Sequence, residues 1–379
     1  MKKICFLTGT RADFGKIRSL MRAVNESPNF ELDVFVTGMH LSKLHGSTYH
    51  EVLQESFESV HIDQLDDEVL HGSMSLRLGQ IISNFTKHIQ KKHPDMIVVH
   101  GDRIEAMAGA LVSALNNIRL GHIEGGEITG TIDESLRHAI SKLANEHFVS
   151  NEEAAECLIK LGENIERIHV IGSPDLDAME EAKKGNLCEV KNHYRIPFDS
   201  YGIAIFHPVT TEIDTVKKQA ETLVSALLES NRNWIVIYPN NDLGSKIILE
   251  EYKRFNNNHR FRVIPSIRFE AFLLLLHNAD VLIGNSSAGV RESCVYGTPS
   301  IDIGTRQEGR YNKAASSTIV HTMPNKTEIL NALRNIQFQN SNKTPVHWGD
   351  GDSAQKFINI LHNPLFWESP LQKKLPFSS

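Results

Sequence analysis

Four stretches of this chain place charged or hydrogen-bonding side chains directly after short β-branched runs. PDMIVVHGDR (94–103) ends on Asp102 and Arg103, and GHIEGGE (121–127) offers Glu124 and Glu127. GIAIFHPVTTE (202–212) contains His207, and DVLIGNSSAGVRE (280–292) contains Asn285, Ser286 and Ser287. Carboxylates close together in a cleft take separated pKa values, which proton transfer uses. His207 is suited either to hydrogen-bonding a phosphate or to moving a proton.

FLTGTRADFGK (6–16) is a glycine-bearing loop where backbone amides commonly meet phosphate. It is not a Walker loop: five residues separate Gly9 from Gly15, and Ile17 stands where a magnesium-binding hydroxyl is needed. It also lacks G-x-G-x-x-G, which leaves a turn carrying Arg11 and Lys16, suited to an anion. In NSSAGVRE, two serines at the mouth of a helix can donate to a diphosphate, with the helix dipole aiding. A serine N-cap on a helix ending at Gly297 accounts for one of them. Arg306 and Arg310, after the next strand, can neutralise an anion by forked hydrogen bonds. Glu292 is placed to accept the hydroxyls of a ribose. Thr131 and Glu134 read as a capping box, and Asp133 as a first-turn acid of the same helix.

The elements that must hold these residues alternate strand and helix. Strands are expected at 3–8, 32–38, 96–101, 119–124, 147–150 and 167–172, with helices at 11–27, 75–93, 105–116 and 134–147 between them. In the 75–93 helix Leu76, Leu78, Ile81, Ile82, Phe85 and Ile89 fall near helical spacing. A second block follows with strands in 202–208, 233–239, 261–265, 280–284 and 299–304. Alternation of this kind predicts α/β architecture with parallel sheets covered on both faces. Such sheets bind ligands beyond the carboxyl ends of their strands, so two of them facing one another would make a cleft. Residues 173–200, polar and interrupted by Pro174, Gly185 and Pro197, are the expected hinge or linker. The domains are expected at 1–175 and 176–351. In the tail, 352–379, Phe357, Ile358, Ile360 and Leu361 need a surface.

At 379 residues the chain exceeds the size at which single cores stop growing, which favours two domains. A net charge of −6 supplies no basic footprint for nucleic acid. The longest apolar stretch, AFLLLL (271–276), is far too short for a membrane span. Cys5, Cys157, Cys188 and Cys294 are widely spaced, which fits reduced thiols in the cytoplasm. Nineteen histidines show no metal-ligand spacing, so no metal is expected.

Taken together, TGTRADFGK, VTGMHLSK, VHGDRIEA, HIEGGEITGTIDESLRHAISKL, IGSPDLD, FHPVTTE, YPNND, PSIRFE, GNSSAGVRE and GTRQEGR resemble the hydrolysing UDP-N-acetylglucosamine 2-epimerases of sialic acid biosynthesis. The resemblance implies the GT-B architecture, two Rossmann-like domains with the nucleotide sugar between them and a C-terminal helix crossing back onto the first. It implies anti elimination of UDP to 2-acetamidoglucal and then syn addition of water to give N-acetylmannosamine, with neither NAD nor a metal. By resemblance Asp102, Glu124 and Asp133 are the catalytic carboxylates, with the order of proton removal and return left open. Arg11, His207, Ser286, Ser287 and Arg306 match positions that stabilise the leaving diphosphate. Arg103 and Asn240 match nucleotide-side positions, the backbone at Ile267 the uracil contact, and Glu292 the ribose contact. Lys16 and His40 match residues lining the sugar pocket. A close branch acts on UDP-N,N′-diacetylbacillosamine for legionaminic acid and shares TGMHLSK, GDRIE, ALNNI and IVIYPNNDLG. The implied partners are a UDP sugar and further copies of the chain, as a dimer or tetramer.

Overall fold

The computed structural model describes residues 1–70, 72–127, 132–308, 318–336 and 349–373. They form two compact units. The first gathers the described residues of Met1–Glu127, Ile132–Glu180 and His347–Ser379, and the second those of Glu181–Val346.

The first unit is built on β1 (Lys2–Thr8), β2 (Phe30–Val36), β3 (Val60–Ile62), β4 (Met96–His100), β5 (Arg119–Ile123), β6 (Glu146–Val149) and β7 (Ile168–Val170). They form one parallel sheet in the order β3-β2-β1-β4-β5-β6-β7. The order reverses between β1 and β4, and a crevice opens at such a reversal. Along β1, Ile4 and Phe6 enter one apolar layer while Cys5 and Leu7 enter the other, all at most 2 % exposed. A period of two with both faces apolar is what a parallel strand between two helix layers requires. Helix Arg11–Glu26 begins with a capping box in which Thr10 and Asp13 satisfy each other's backbone amides. It buries Phe14, Ile17, Leu20, Met21 and Val24, spaced three and four apart. Helix Ser353–His362 packs on the same layer: Phe357 is fully buried, its ring 6.3 Å from Phe6 and 4.8 Å from Phe148.

The second unit carries β8 (Gly202–Ile205), β9 (Trp234–Ile237), β10 (Phe261–Ile264), β11 (Val281–Gly284), β12 (Ser300–Ile303) and β13 (Ile319–Thr322). Its sheet is also parallel, in the order β10-β9-β8-β11-β12-β13, with the reversal between β8 and β11. Gly284 closes that point: its φ is +137° and an added Cβ would lie 1.8 Å from the Ile205 carbonyl oxygen. Only glycine lets the two backbones meet there.

Several expectations change. The stretch 173–200, expected as a linker, contains two helices, Pro174–Ala182 and Leu187–His193. Leu76, placed on the apolar stripe of the Met74–Lys92 helix, is 66 % exposed, whereas Ile81, Phe85 and Ile89 are buried. The edge strands β3 and β13 and the helices Val216–Glu229, Ser245–Tyr252 and Lys326–Asn335 carry no expectation above. The tail helix ends at His362, and Asn363 caps a second short helix, Pro364–Glu368. Among the described residues no helix is long and apolar enough to cross a membrane.

Candidate active site

In the first unit the strand ends at the reversal bring together Arg11 and Lys16 after β1, Asp102 and Arg103 after β4, and Glu124 after β5. Glu124 is the most constrained of these. Its φ is +60°, a left-handed conformation that costs a non-glycine residue energy and clusters at functional sites. The residue is 3 % exposed, and both oxygens are held: Ser173 Oγ donates to Oε1 at 2.6 Å, and His100 Nε2 lies 3.1 Å from Oε2. Asp102 is ion-paired with Arg137, whose Nη1 also donates to the Glu127 carbonyl at 3.0 Å. Lys16 reaches Asp175 at 2.7 Å, and Arg11 pairs with Glu51. Arg103 lies 3.5 Å from the buried Glu105, the side chain over which Gly9 fits closely enough that a Cβ would touch it. Glu127 accepts from Ser150 at 3.1 Å, and Glu134 pairs with His138 on its own helix.

Asp133 belongs to helix Ile132–Leu143, the element that follows β5. Thr131 lies outside the described residues, as does Arg310.

His40 is completely buried, with Nδ1 2.8 Å from Thr48 Oγ1 and Nε2 3.1 Å from Thr8 Oγ1. Thr8 passes the chain on by donating to Asp13. Burial, aided by the Arg11 charge, lowers the His40 pKa from 6.5 to about 3, so the ring is a neutral spacer beneath the β1 turn. His122 does the same beneath the β4 turn: Nε2 donates to the Gly101 carbonyl at 2.8 Å, and burial lowers its pKa from 6.5 to about 3. Burial also raises the Asp13 carboxyl above its ordinary range, against the hydrogen bonds from Thr8, Gly9 and Thr10.

One group of metal-ligand types comes together among the described residues. Cys5, Asp33 and His88 have their ligand atoms within 4.8 Å of one another inside the first unit. Asp33 accepts from His88 at 2.6 Å and from Ser59, with the Lys92 ammonium 3.9 Å away, so its charge is already balanced by protein groups.

In the second unit the reversal between β8 and β11 is tied by Asn285, whose side chain accepts from the His207 amide at 2.7 Å and donates to the His207 carbonyl at 2.8 Å. The His207 ring then has a defined tautomer. Its Nδ1 accepts the Asn240 backbone N–H at 3.0 Å, which puts the proton of the neutral ring on Nε2 and makes that atom a donor. Asn240 itself bonds Asp242 through its side chain. Ser286 caps the turn Ser287–Gly289, its Oγ accepting from the Ala288 amide at 3.3 Å. The single helix expected from the serines to Gly297 is broken: a 3-10 turn, Ser287–Gly289, precedes a helix of five residues, Glu292–Tyr296. Because Arg291 leaves helical geometry between them, no continuous dipole points at the serines. Gly297 ends the short helix in the left-handed conformation, as its position suggests. Arg306 Nη1 and Gln307 Nε2 both donate to the Asn285 carbonyl, at 3.2 and 2.8 Å. Glu292 is buried, and Ile267 is buried in the loop after β10.

The sequence reading missed His100, Arg137, Ser173 and Asp175. The clue for the last two is the polar S-P-D after a strand, in the segment expected as linker.

Two Rossmann-like units, each with its polar groups at the reversal of a parallel sheet, define a GT-B type α/β protein. The solved structure of Methanocaldococcus jannaschii UDP-GlcNAc 2-epimerase, in complex with UDP-GlcNAc and UDP, superposes with a TM-score of 0.79 at 21 % identity, covering 95 % of this chain and 99 % of that one. A family model described as UDP-N-acetylglucosamine 2-epimerase matches residues 22–362. The UDP-N-acetylglucosamine 2-epimerase of Neisseria meningitidis serogroup B is 42 % identical over 99 % of this chain and 98 % of its own. The UDP-N,N′-diacetylbacillosamine 2-epimerase (hydrolyzing) of Legionella pneumophila is 32 % identical over 95 % of this chain and 96 % of its own. The chain therefore belongs to the UDP-N-acetylglucosamine 2-epimerase family of enzymes.

Proposed function

We propose that the chain is a hydrolysing 2-epimerase that converts UDP-N-acetylglucosamine and water into N-acetylmannosamine and UDP for sialic acid biosynthesis. The observation that carries this reading is Glu124, a strained and buried carboxylate held at both oxygens one strand away from Asp102. Epimerisation at carbon 2 needs a proton removed from one face and another delivered to the opposite face, so it needs separate acids. In the first half, a carboxylate takes the carbon 2 proton, the bond from carbon 1 to the diphosphate oxygen breaks, and 2-acetamidoglucal forms. In the second, water adds its hydroxyl to carbon 1 as a carboxylate takes its other proton, and a carboxyl returns a proton to carbon 2. Asp102, Glu124 and Asp133 serve these steps.

The departing diphosphate gathers negative charge, and donors fixed in advance stabilise it. The Nε2–H of His207, with Ser286, Ser287, Arg306 and Arg11, fills that role. The tautomer of His207 supports its use as a donor over its use as a base. Asn240, Arg103, Ile267 and Glu292 take the nucleoside, and Lys16 the sugar. UDP-N-acetylglucosamine is favoured over the diacetylbacillosamine derivative because the relative named for it is the more similar of the two, 42 % against 32 %.

Incubation with UDP-N-acetylglucosamine in deuterium oxide tests the reading. UDP and free N-acetylmannosamine labelled at carbon 2 are expected. UDP-N-acetylmannosamine as the final product would defeat the hydrolytic step, and an unchanged donor would point to a glycosyltransferase or a sensor. Turnover of the diacetylbacillosamine sugar alone would move the chain to the other branch.

A further inference from the structure

Lys16 and Glu124 are on different elements of the first unit, yet one turn of chain holds both. Ser173 donates to Glu124 at 2.6 Å, and two residues later Asp175 accepts from Lys16 at 2.7 Å. Ser173 and Asp175 are 1 % and 3 % exposed, so neither bond competes with bulk water. Two residues further on, Asp177 accepts the backbone amides of Ser353 and Ala354 at 3.0 and 2.9 Å and so starts the Ser353–His362 helix. The chain returning to the first unit passes directly over this turn. A Cβ added to Gly349 would lie 2.7 Å from the Gly172 Cα, and Gly351 faces the Leu176 carbonyl. The turn thus sits where the chain leaves the first unit, at Glu180, and where it comes back.

We infer that residues 173–177 are a positioning segment for the epimerase reaction, in which Ser173 fixes the orientation of the Glu124 carboxylate and Asp175 that of the Lys16 ammonium. The inference rests on the functional reading given above. Neither Ser173 nor Asp175 is a catalytic residue in this scheme; each acts through the group it holds. Ser173, Asp175 and Asp177, within five residues of chain, each take a different partner. Displacing the turn displaces Glu124 and Lys16 together. Glu124 has extra need of such a hold, because its left-handed backbone stores strain that the surroundings must oppose. Loss of the Ser173 hydroxyl also removes a donor from a carboxylate, and a carboxylate with fewer donors is easier to protonate.

The test uses Ser173→Ala, Ser173→Thr and Asp175→Asn in the full chain, with Glu124→Gln beside them. Steady-state kinetics with UDP-N-acetylglucosamine are measured across pH, and UDP affinity by calorimetry. Ser173→Ala is expected to lower kcat about tenfold or more with KM and UDP affinity little changed, as misplacement of a reacting group does. The limb of its kcat profile that reports Glu124 is expected to move to higher pH, and Ser173→Thr to restore both. Asp175→Asn should lower kcat as well, which keeps a reading in hand if Ser173→Ala folds poorly. Wild-type kcat and pH profile in both variants, beside a dead Glu124→Gln, would overturn this inference alone. Full activity in Glu124→Gln would overturn the functional reading beneath it. Parallel loss of kcat and UDP binding without rescue by threonine would make Ser173 a packing residue and refute the inference.

Discussion

The first unit should lose stability steeply between pH 7 and pH 5, and two buried histidines set the amount. His40 and His122 are both 0 % exposed, and burial lowers each pKa from 6.5 to about 3. Each stays neutral in the folded state while its unfolded counterpart takes a proton below pH 6.5. Between pH 6.5 and about 3 the unfolded chain therefore binds more protons, and stability falls as pH falls. At pH 5 an unfolded histidine is about 1.5 units below its pKa, which at about 1.4 kcal/mol per unit costs about 2 kcal/mol for each residue. About 4 kcal/mol from the pair is a large share of the roughly 5–15 kcal/mol that holds a domain together. His147, whose pKa is also lowered by burial, acts in the same direction. Asp13 and Asp177, whose carboxyls burial raises, act in the opposite one as pH falls below their raised folded-state pKa values. Urea unfolding at pH 7, 6 and 5 checks this, with hydrogen exchange at β4 and β5 reporting the first unit and at β8 and β9 the second. Loss is expected in the first unit. His122→Asn and His40→Gln should each be less stable at pH 7 but remove about 2 kcal/mol of the pH dependence. A pH dependence unchanged in both variants would refute the assignment.

Other perturbations probe the sites and the frame. Asp102→Asn should reduce turnover by about 10²–10⁴-fold while leaving UDP affinity nearly intact, measured by product release and calorimetry. An equal loss of both would make Asp102 a binding residue. Gly284→Ala puts a Cβ against the Ile205 carbonyl oxygen, so the second unit should lose about 3 kcal/mol or more, read from urea midpoints. Phe357→Ala removes a ring wedged between Phe6 and Phe148 and should cost about 3–5 kcal/mol, with early proteolysis of the C-terminal helix.

What the chain reveals without coordinates is its frame and the places where chemistry can occur. Runs such as MIVV (96–99) and VLIG (281–284) are continuously apolar, rich in β-branched residues and followed at once by polar groups. A strand buried on both faces must look that way, so Asp102, Glu124, His207 and Ser286 are legible as strand-end residues from local pattern alone. The turn at Thr10 is legible too, in T-R-A-D, where a threonine stands three residues before an acid. The bonds that decide how these groups behave are of another kind. Ser173 is 49 residues from Glu124, and Asp175 is 159 residues from Lys16. The enclosure of His40 between Thr8 and Thr48 comes from packing alone. Cys5, Asp33 and His88 meet only because β1 and β2 pair Cys5 with Asp33 and a helix lies across them. The His207 tautomer depends on a backbone amide supplied by another strand's loop. Periodicity records which face of an element is buried, because burial acts on each residue separately. Hydrogen-bond partners, protonation and strain depend on which elements become neighbours, and that is settled only when the sheets close and the helices pack.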